Sequence, residues 1–156
     1  MTQAILMVCL GNICRSPLAE GIMRHLITER GLEEQFTVDS CGTGSWHAGE
    51  APHSGSRRVA TQNGISLEGQ RSRQLTRQDI VDFDWLVAMD TSNRNGIRHV
   101  DEQGLKHERT VLLLDYAGEN SPRDVPDPYY EGGFEGVYKL IYRGCEGLLE
   151  HILAQS

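Results

Sequence analysis

Short continuous apolar runs alternate along this chain with longer stretches whose apolar residues return every three or four positions. Ala4–Cys9 is unbroken and apolar, the pattern of a central parallel strand buried on both faces. Leu18, Ile22 and Leu26, with Ala19 and Ile27, then recur at helical spacing. Ser16 is the expected N-cap of that helix, Pro17 its first residue and Gly31 its stop. Phe36–Ser40 reads as a second strand, and the Gly-, Ser- and His-rich stretch 42–55 as a long loop. Arg57–Asn63 predicts a short helix stopped by Gly64, and Thr76-Arg-Gln-Asp79 a capping box opening another that runs to about Asp82. Trp85–Met89 is a third buried strand, followed by a helix over Ser92–His99, and Val111–Leu114 is a fourth. Residues 115–133 read as a loop. Val137, Leu140, Ile141, Cys145, Leu148, Leu149 and Ile152 then trace one face of a long helix over Phe134–Ala154.

Strands alternating with helices imply a three-layer α/β fold of flavodoxin-like type, a four-stranded parallel sheet of order 2-1-3-4 with helices on both faces. That order puts the first strand at the topological switch point, where ligands bind beyond the carboxyl ends of the strands. Cys9 lies at that end. No repeat or second pattern interrupts the alternation, and one domain over residues 1–156 is expected.

Charge narrows the picture. The formal net charge of −7 argues against nucleic acid as a partner. No apolar run is long enough for membrane insertion, and the first residues lack the basic flank and cleavage site of a signal peptide, which points to the cytoplasm. Nearly all the positive charge is arginine, which suits fork-like recognition of oxyanions. Arg57, Arg58, Arg71, Arg73 and Arg77 read as balancing nearby acids. The four cysteines, Cys9, Cys14, Cys41 and Cys145, are expected as free thiols. Their spacing completes no metal-ligand set, so no metal and no cofactor are expected.

The chemistry concentrates in Cys9-Leu10-Gly11-Asn12-Ile13-Cys14-Arg15-Ser16. A strand ending in cysteine, followed by a loop that opens a helix, turns backbone N–H groups and the positive helix end onto one point. An anion binds well there, and the same field favours a thiolate. Arg15 offers a bidentate fork to phosphoryl oxygens, and Gly11 lets the backbone come close. Asn12 tolerates the left-handed conformation a tight cradle needs, and the Ser16 hydroxyl can donate to the sulfur. Ester cleavage also needs a proton for the leaving oxygen. Asp127, held on a stiff, extended backbone by Pro128 and flanked by Tyr129 and Tyr130, is the best donor, with Asp124 its competitor. Trp46, Tyr129 and Tyr130 can wall a flat aryl group. The six histidines show no metal spacing and are assigned surface or capping roles.

The stretch Val8-Cys9-Leu10-Gly11-Asn12-Ile13-Cys14-Arg15-Ser16-Pro17-Leu18-Ala19-Glu20 resembles the signature of the low-molecular-weight protein tyrosine phosphatases. The likeness continues through Val38-Asp39-Ser40, Gly42–His47, Ser72–Leu75, Met89–Asn93 and Asp127-Pro128-Tyr129-Tyr130. The resemblance implies hydrolysis of tyrosine-phosphorylated protein substrates and inhibition by phosphate and other oxyanions. It makes Cys9 the nucleophile, Arg15 the phosphate clamp and Asp127 the general acid and then base. It further makes residues 10–14 and Ser16 the substrate cradle, Asn12 and Ser40 loop supports, Trp46 and Tyr129 cleft borders, and Cys14 the disulfide partner that protects Cys9 on oxidation. Gln70 stands where many members carry a supporting His, and His53 and Gly55 where an Asp and an Arg are common. A protein arginine-phosphate phosphatase is the alternative, though such members carry Thr in place of Ile13. An arsenate reductase lacks its relay cysteines here. A non-enzymatic phosphotyrosine-binding module fits poorly with retention of both Cys9 and Asp127.

Overall fold

The computed structural model describes residues 2–131 and 133–155, the side chains of Tyr130 and Glu131 excepted. Four parallel strands, β1 (Gln3–Cys9), β2 (Phe36–Gly42), β3 (Trp85–Ala88) and β4 (Thr110–Leu112), lie in the order β2-β1-β3-β4, as the alternation predicts. Strand β1 pairs along its whole length with β2, from Gln3 opposite Phe36 to Cys9 opposite Gly42, and on its other edge with β3. Its side chains alternate between two cores. Ile5, Met7 and Cys9 join the larger one, built with α1 (Arg15–Glu29), α2 (Ser54–Gln62) and α6 (Phe134–Ala154). Leu6 and Val8 face the smaller one, closed by Ile80 of α3 (Arg77–Asp82) and Ile97 of α4 (Thr91–Val100).

Several boundaries differ from the sequence expectation for identifiable reasons. Helix α1 begins at Arg15 with Cys14 at the N-cap, so Ser16 is not the cap. Its hydroxyl is turned back under the loop, and Pro17 is accommodated because first-turn N–H groups have no helical partner in any case. No side chain caps this helix end. Helix α2 starts three residues early, inside the expected loop, because the His53 ring accepts the Gly55 N–H at 3.0 Å and caps it. Helix α4 starts at Thr91 under a reciprocal capping box between Asp90 and Asn93. After Leu112 the expected strand tightens into a 3-10 turn, Leu113–Tyr116. There α6 presses so close that a side chain on Gly147 would strike the Tyr116 carbonyl. A four-residue helix, α5 (Pro128–Glu131), stands in the expected loop 115–133.

Other predictions hold in detail. The capping box at Thr76 and Asp79 forms. The far end of α3 is closed by Lys106, whose ammonium donates to the carbonyls of Ile80, Val81 and Phe83 at 2.6, 3.1 and 2.8 Å. A cation collecting terminal carbonyls complements the negative end of the helix. Among the described residues, no helix is long and apolar enough to cross a membrane.

Candidate active site

At the carboxyl end of β1 the chain turns sharply through residues 10–14 into α1. Asn12 takes the left-handed conformation, φ 56°, and is the one non-glycine residue with positive φ among those described. Its side chain explains why the position is asparagine. Oδ1 accepts the Arg73 backbone N–H at 3.1 Å, which fixes the amide orientation. Both hydrogens of Nδ2 then go to hydroxyls, Ser16 at 2.8 Å and Ser40 at 3.0 Å. Each hydroxyl is left with its own proton to give. Ser40 donates to Glu20 at 2.7 Å, and the Ser16 hydroxyl lies 3.0 Å from the Cys9 sulfur and 3.3 Å from the Cys41 carbonyl oxygen. Burial pushes the Glu20 carboxyl above its ordinary range, against the pull of Ser40 and of Arg24, which pairs with it at 2.9 Å.

The sulfur of Cys9 is thus met by two groups, the Asn12 backbone N–H at 3.3 Å and the Ser16 hydroxyl. The loop is held from outside as well. The Ser72 hydroxyl donates to the Gly11 carbonyl at 2.9 Å. Strand β2 ends so close beneath it that a Cβ on Gly42 would sit 2.7 Å from the Leu10 carbonyl oxygen.

Arg15 is 2 % exposed, and its guanidinium is gripped on one side. Nη1 donates to Asp90 at 2.7 Å and to the Val125 carbonyl at 2.9 Å, while Nη2 reaches Asp127 at 3.4 Å. Nε is buried and has no partner. Burial works against this charge, but Cys9, Asp90 and Asp127 outweigh it and hold the guanidinium above its ordinary value. Asp90 does two jobs at once: Oδ1 caps α4 through the Asn93 N–H at 2.7 Å while Oδ2 holds Arg15.

The segment carrying Asp127 is pinned at two points. The Val125 N–H donates to the Met89 carbonyl at 2.9 Å, and the Asp124 carboxylate accepts from Thr91 N–H at 2.9 Å and Oγ1 at 2.8 Å. Asp124 is therefore an anchor, and Asp127 is the carboxylate brought to the cleft. Its Oδ1 accepts the Tyr129 N–H at 3.0 Å.

A cleft of about 230 Å³ opens between these parts, lined by Cys9, residues 10, 11, 13 and 14, Arg15, Trp46, His47, Asp127 and Tyr129. Ile13 faces it from the loop, and Trp46 stands at its mouth, 69 % exposed. The side chains of Asn12 and Ser16 are bonded to each other beneath the loop, while the Asn12 backbone N–H points at the Cys9 sulfur. The side chain of Tyr130 lies outside the described residues. Cys14 lines the same cleft as Cys9; burial first, then the Cys9 charge, pushes its thiol up to about 12. All four cysteines are free. Gln70 does not reach the loop: its Nε2 donates to the Pro17 carbonyl at 3.2 Å.

Sequence reasoning missed Asp90, Ser72 and His47. Asp90 carried a legible signal, an Asp three residues before Asn93 at a strand-to-helix junction. His47 carried none; it lines the cleft because its Nδ1 is held by Glu50 at 2.9 Å and its ring fills the space that Gly11 leaves, 3.0 Å from where a Cβ would stand. His53, by contrast, has the capping role expected of a histidine here, and its ring stacks on Phe134.

Comparison with known proteins agrees with this geometry. The profile of the low molecular weight phosphotyrosine protein phosphatases matches residues 4–156. The low molecular weight protein-tyrosine-phosphatase YfkJ of Bacillus subtilis is 47 % identical over 150 residues, covering 96 % of this chain and 95 % of that protein. Its crystal structure superposes with a TM-score of 0.94, covering 100 % of this chain and 98 % of that one. The crystal structure of a Drosophila arginine phosphatase is 35 % identical with a TM-score of 0.85, over 95 % of this chain and 96 % of that one. A sulfur met by an amide of the loop that follows it, a braced arginine lining the same cleft and near full-length similarity converge: this chain belongs to the low molecular weight phosphotyrosine protein phosphatase family.

Proposed function

We propose that this protein is a cytoplasmic protein tyrosine phosphatase, one domain over residues 1–156, that hydrolyses phosphotyrosine and small aryl phosphates through a cysteinyl-phosphate. The observation that carries the reading is the shared cleft: the Cys9 sulfur accepts the Asn12 amide and lies 3.0 Å from the Ser16 hydroxyl, with Arg15 and Asp127 lining the same cavity. Cys9 as thiolate attacks phosphorus, the phosphorus–oxygen bond to the aryl group breaks, and Asp127 gives its proton to the leaving phenolate. Water, deprotonated by Asp127, then attacks phosphorus and releases the thiolate, which the Ser16 hydroxyl stabilises as a leaving group. Charge spreading over the equatorial oxygens is met by cradle N–H groups and by Arg15, whose unpartnered Nε is a donor already desolvated.

Ile13 favours this reading over an arginine-phosphate phosphatase. It lines the cleft together with Trp46, so the cleft offers a flat aryl ring apolar surface. Turnover of p-nitrophenyl phosphate and phenyl phosphate tests the assignment. Cys9→Ser abolishes both. Asp127→Asn slows phenyl phosphate by about 10²-fold or more and the better leaving group much less; equal losses on the two substrates remove Asp127 from the acid role. Phosphotyrosine and phosphoarginine peptides assayed side by side separate the two substrate classes.

A further inference from the structure

A second cavity lies along α6, toward the end of α1 opposite the thiol cleft. It has a volume of about 530 Å³ and is lined by His25, Asn63, Tyr138, Lys139, Tyr142 and Arg143. His25 stands ten residues beyond Arg15 on α1, about 15 Å along the helix at 1.5 Å per residue. Nothing in the phosphatase chemistry uses these residues.

Their arrangement is specific. Tyr138 and Tyr142 are one helical turn apart, with ring centroids 6.0 Å apart and planes at 39°, and they form an aromatic floor. Lys139 and Arg143 repeat the same turn on the neighbouring row, both exposed. Like charges at this spacing repel each other. Among the described residues neither has an ion-pair or hydrogen-bond partner, and neither tyrosine hydroxyl has a hydrogen-bond partner. The chain's other lysine, Lys106, is by contrast consumed by three carbonyls. Across the groove, Asn63 commits its Nδ2 to the Val59 carbonyl at 2.8 Å, which leaves Oδ1 open. His25 pairs with Glu29 at 3.3 Å. The acids near the groove, Glu29 and Glu146, stand beside Tyr142 and do not line the cavity.

The geometry points to a second ligand site, for a small planar aromatic anion whose ring lies on Tyr138 and Tyr142 and whose acid group meets Lys139 and Arg143. A ring alone would leave the two cations unpaired, and an anion alone would leave the cavity-facing edges of the tyrosine rings uncovered; only a ligand with both parts satisfies both. The site stands independently of the function proposed for the thiol cleft.

Isothermal titration of the intact protein with naphthalene-2-sulfonate, with vanadate saturating the thiol cleft, tests this. One saturable site is expected, weakened at least tenfold in Lys139→Ser/Arg143→Ser and severalfold in Tyr142→Leu. Cyclohexanesulfonate, equal in charge but without a planar ring, is expected to bind at least tenfold more weakly. Both variants keep the parent's kcat/KM on aryl phosphate, which shows that they are folded. Absence of saturable binding, loss of binding on adding vanadate, equal affinity of the double variant, or equal affinity for the saturated sulfonate each overturns the proposal.

Discussion

Two arginines in this protein are each held by a pair of carboxylates, and they differ in what they leave undone. Arg73 is 35 % exposed at its side chain and engages all three of its nitrogens: Nε and Nη2 donate to Asp39 at 3.3 and 3.0 Å, and Nη1 and Nη2 donate to Asp79 at 2.9 and 3.1 Å. Arg15 is buried, held firmly by Asp90 and the Val125 carbonyl, touches Asp127 only at 3.4 Å, and keeps Nε without a partner. Engagement of every nitrogen makes Arg73 a tie between β2, α3 and the loop that its backbone N–H supports. Incomplete satisfaction in a dry place makes Arg15 a group with capacity to spare for an oxyanion. An unmet buried donor costs stability in the absence of a partner, so its presence beside a thiol is what a functional site looks like energetically.

Substituting each arginine sharpens the contrast. Arg15→Lys keeps the charge but loses the planar fork, and kcat/KM for aryl phosphates is expected to fall by about 10³-fold with the fold intact. A loss below tenfold would mean that the fork is not the oxyanion clamp. Arg73→Gln acts on the other quantity. Urea denaturation is expected to show about 1 kcal/mol of lost stability, small because the network is partly solvated, while kcat/KM stays within a few-fold because the backbone bond to Asn12 survives.

The smallest effect is in the pH dependence of that stability difference. Burial by itself would raise the Asp79 carboxyl, but hydrogen bonds from Arg73 and Thr76 hold it below its ordinary value. A carboxyl lowered in the folded state adds stability that is full above its unfolded value, ~3.9, and is lost as pH falls through the lower folded value. The advantage of the parent over Arg73→Gln should therefore be constant from about pH 7 to pH 5 and shrink below about pH 4. A difference undiminished at pH 3 would assign the stabilisation to packing of the Arg73 stem.

Much of this was written in the sequence where a local rule suffices. The strand order follows from the alternation of runs, and Cys9, Arg15 and Asp127 follow from residue type and neighbours. The left-handed Asn12 follows from the few side chains that tolerate that conformation. What escaped was set by tertiary contact. Ser16 looked like a cap because it precedes proline, but a bond to the sulfur and one to Asn12 outweigh a cap in place. The run Val111–Leu114 looked like a strand to its end, but close approach of α6 bends it. His47 and Ser72 reach the site through turns whose geometry no periodicity records.

The hub at Asn12 has a consequence for assembly. Its partners Ser40 and Arg73 lie 28 and 61 positions away, and Arg15 finds its own 75 and 110 positions away. Closing such loops is entropically expensive and comes late, after local helices have formed. Catalytic competence is therefore a property of the completed topology and not of the signature segment, and a chain that regains its helix signal without its turnover has stopped before those distant ends meet.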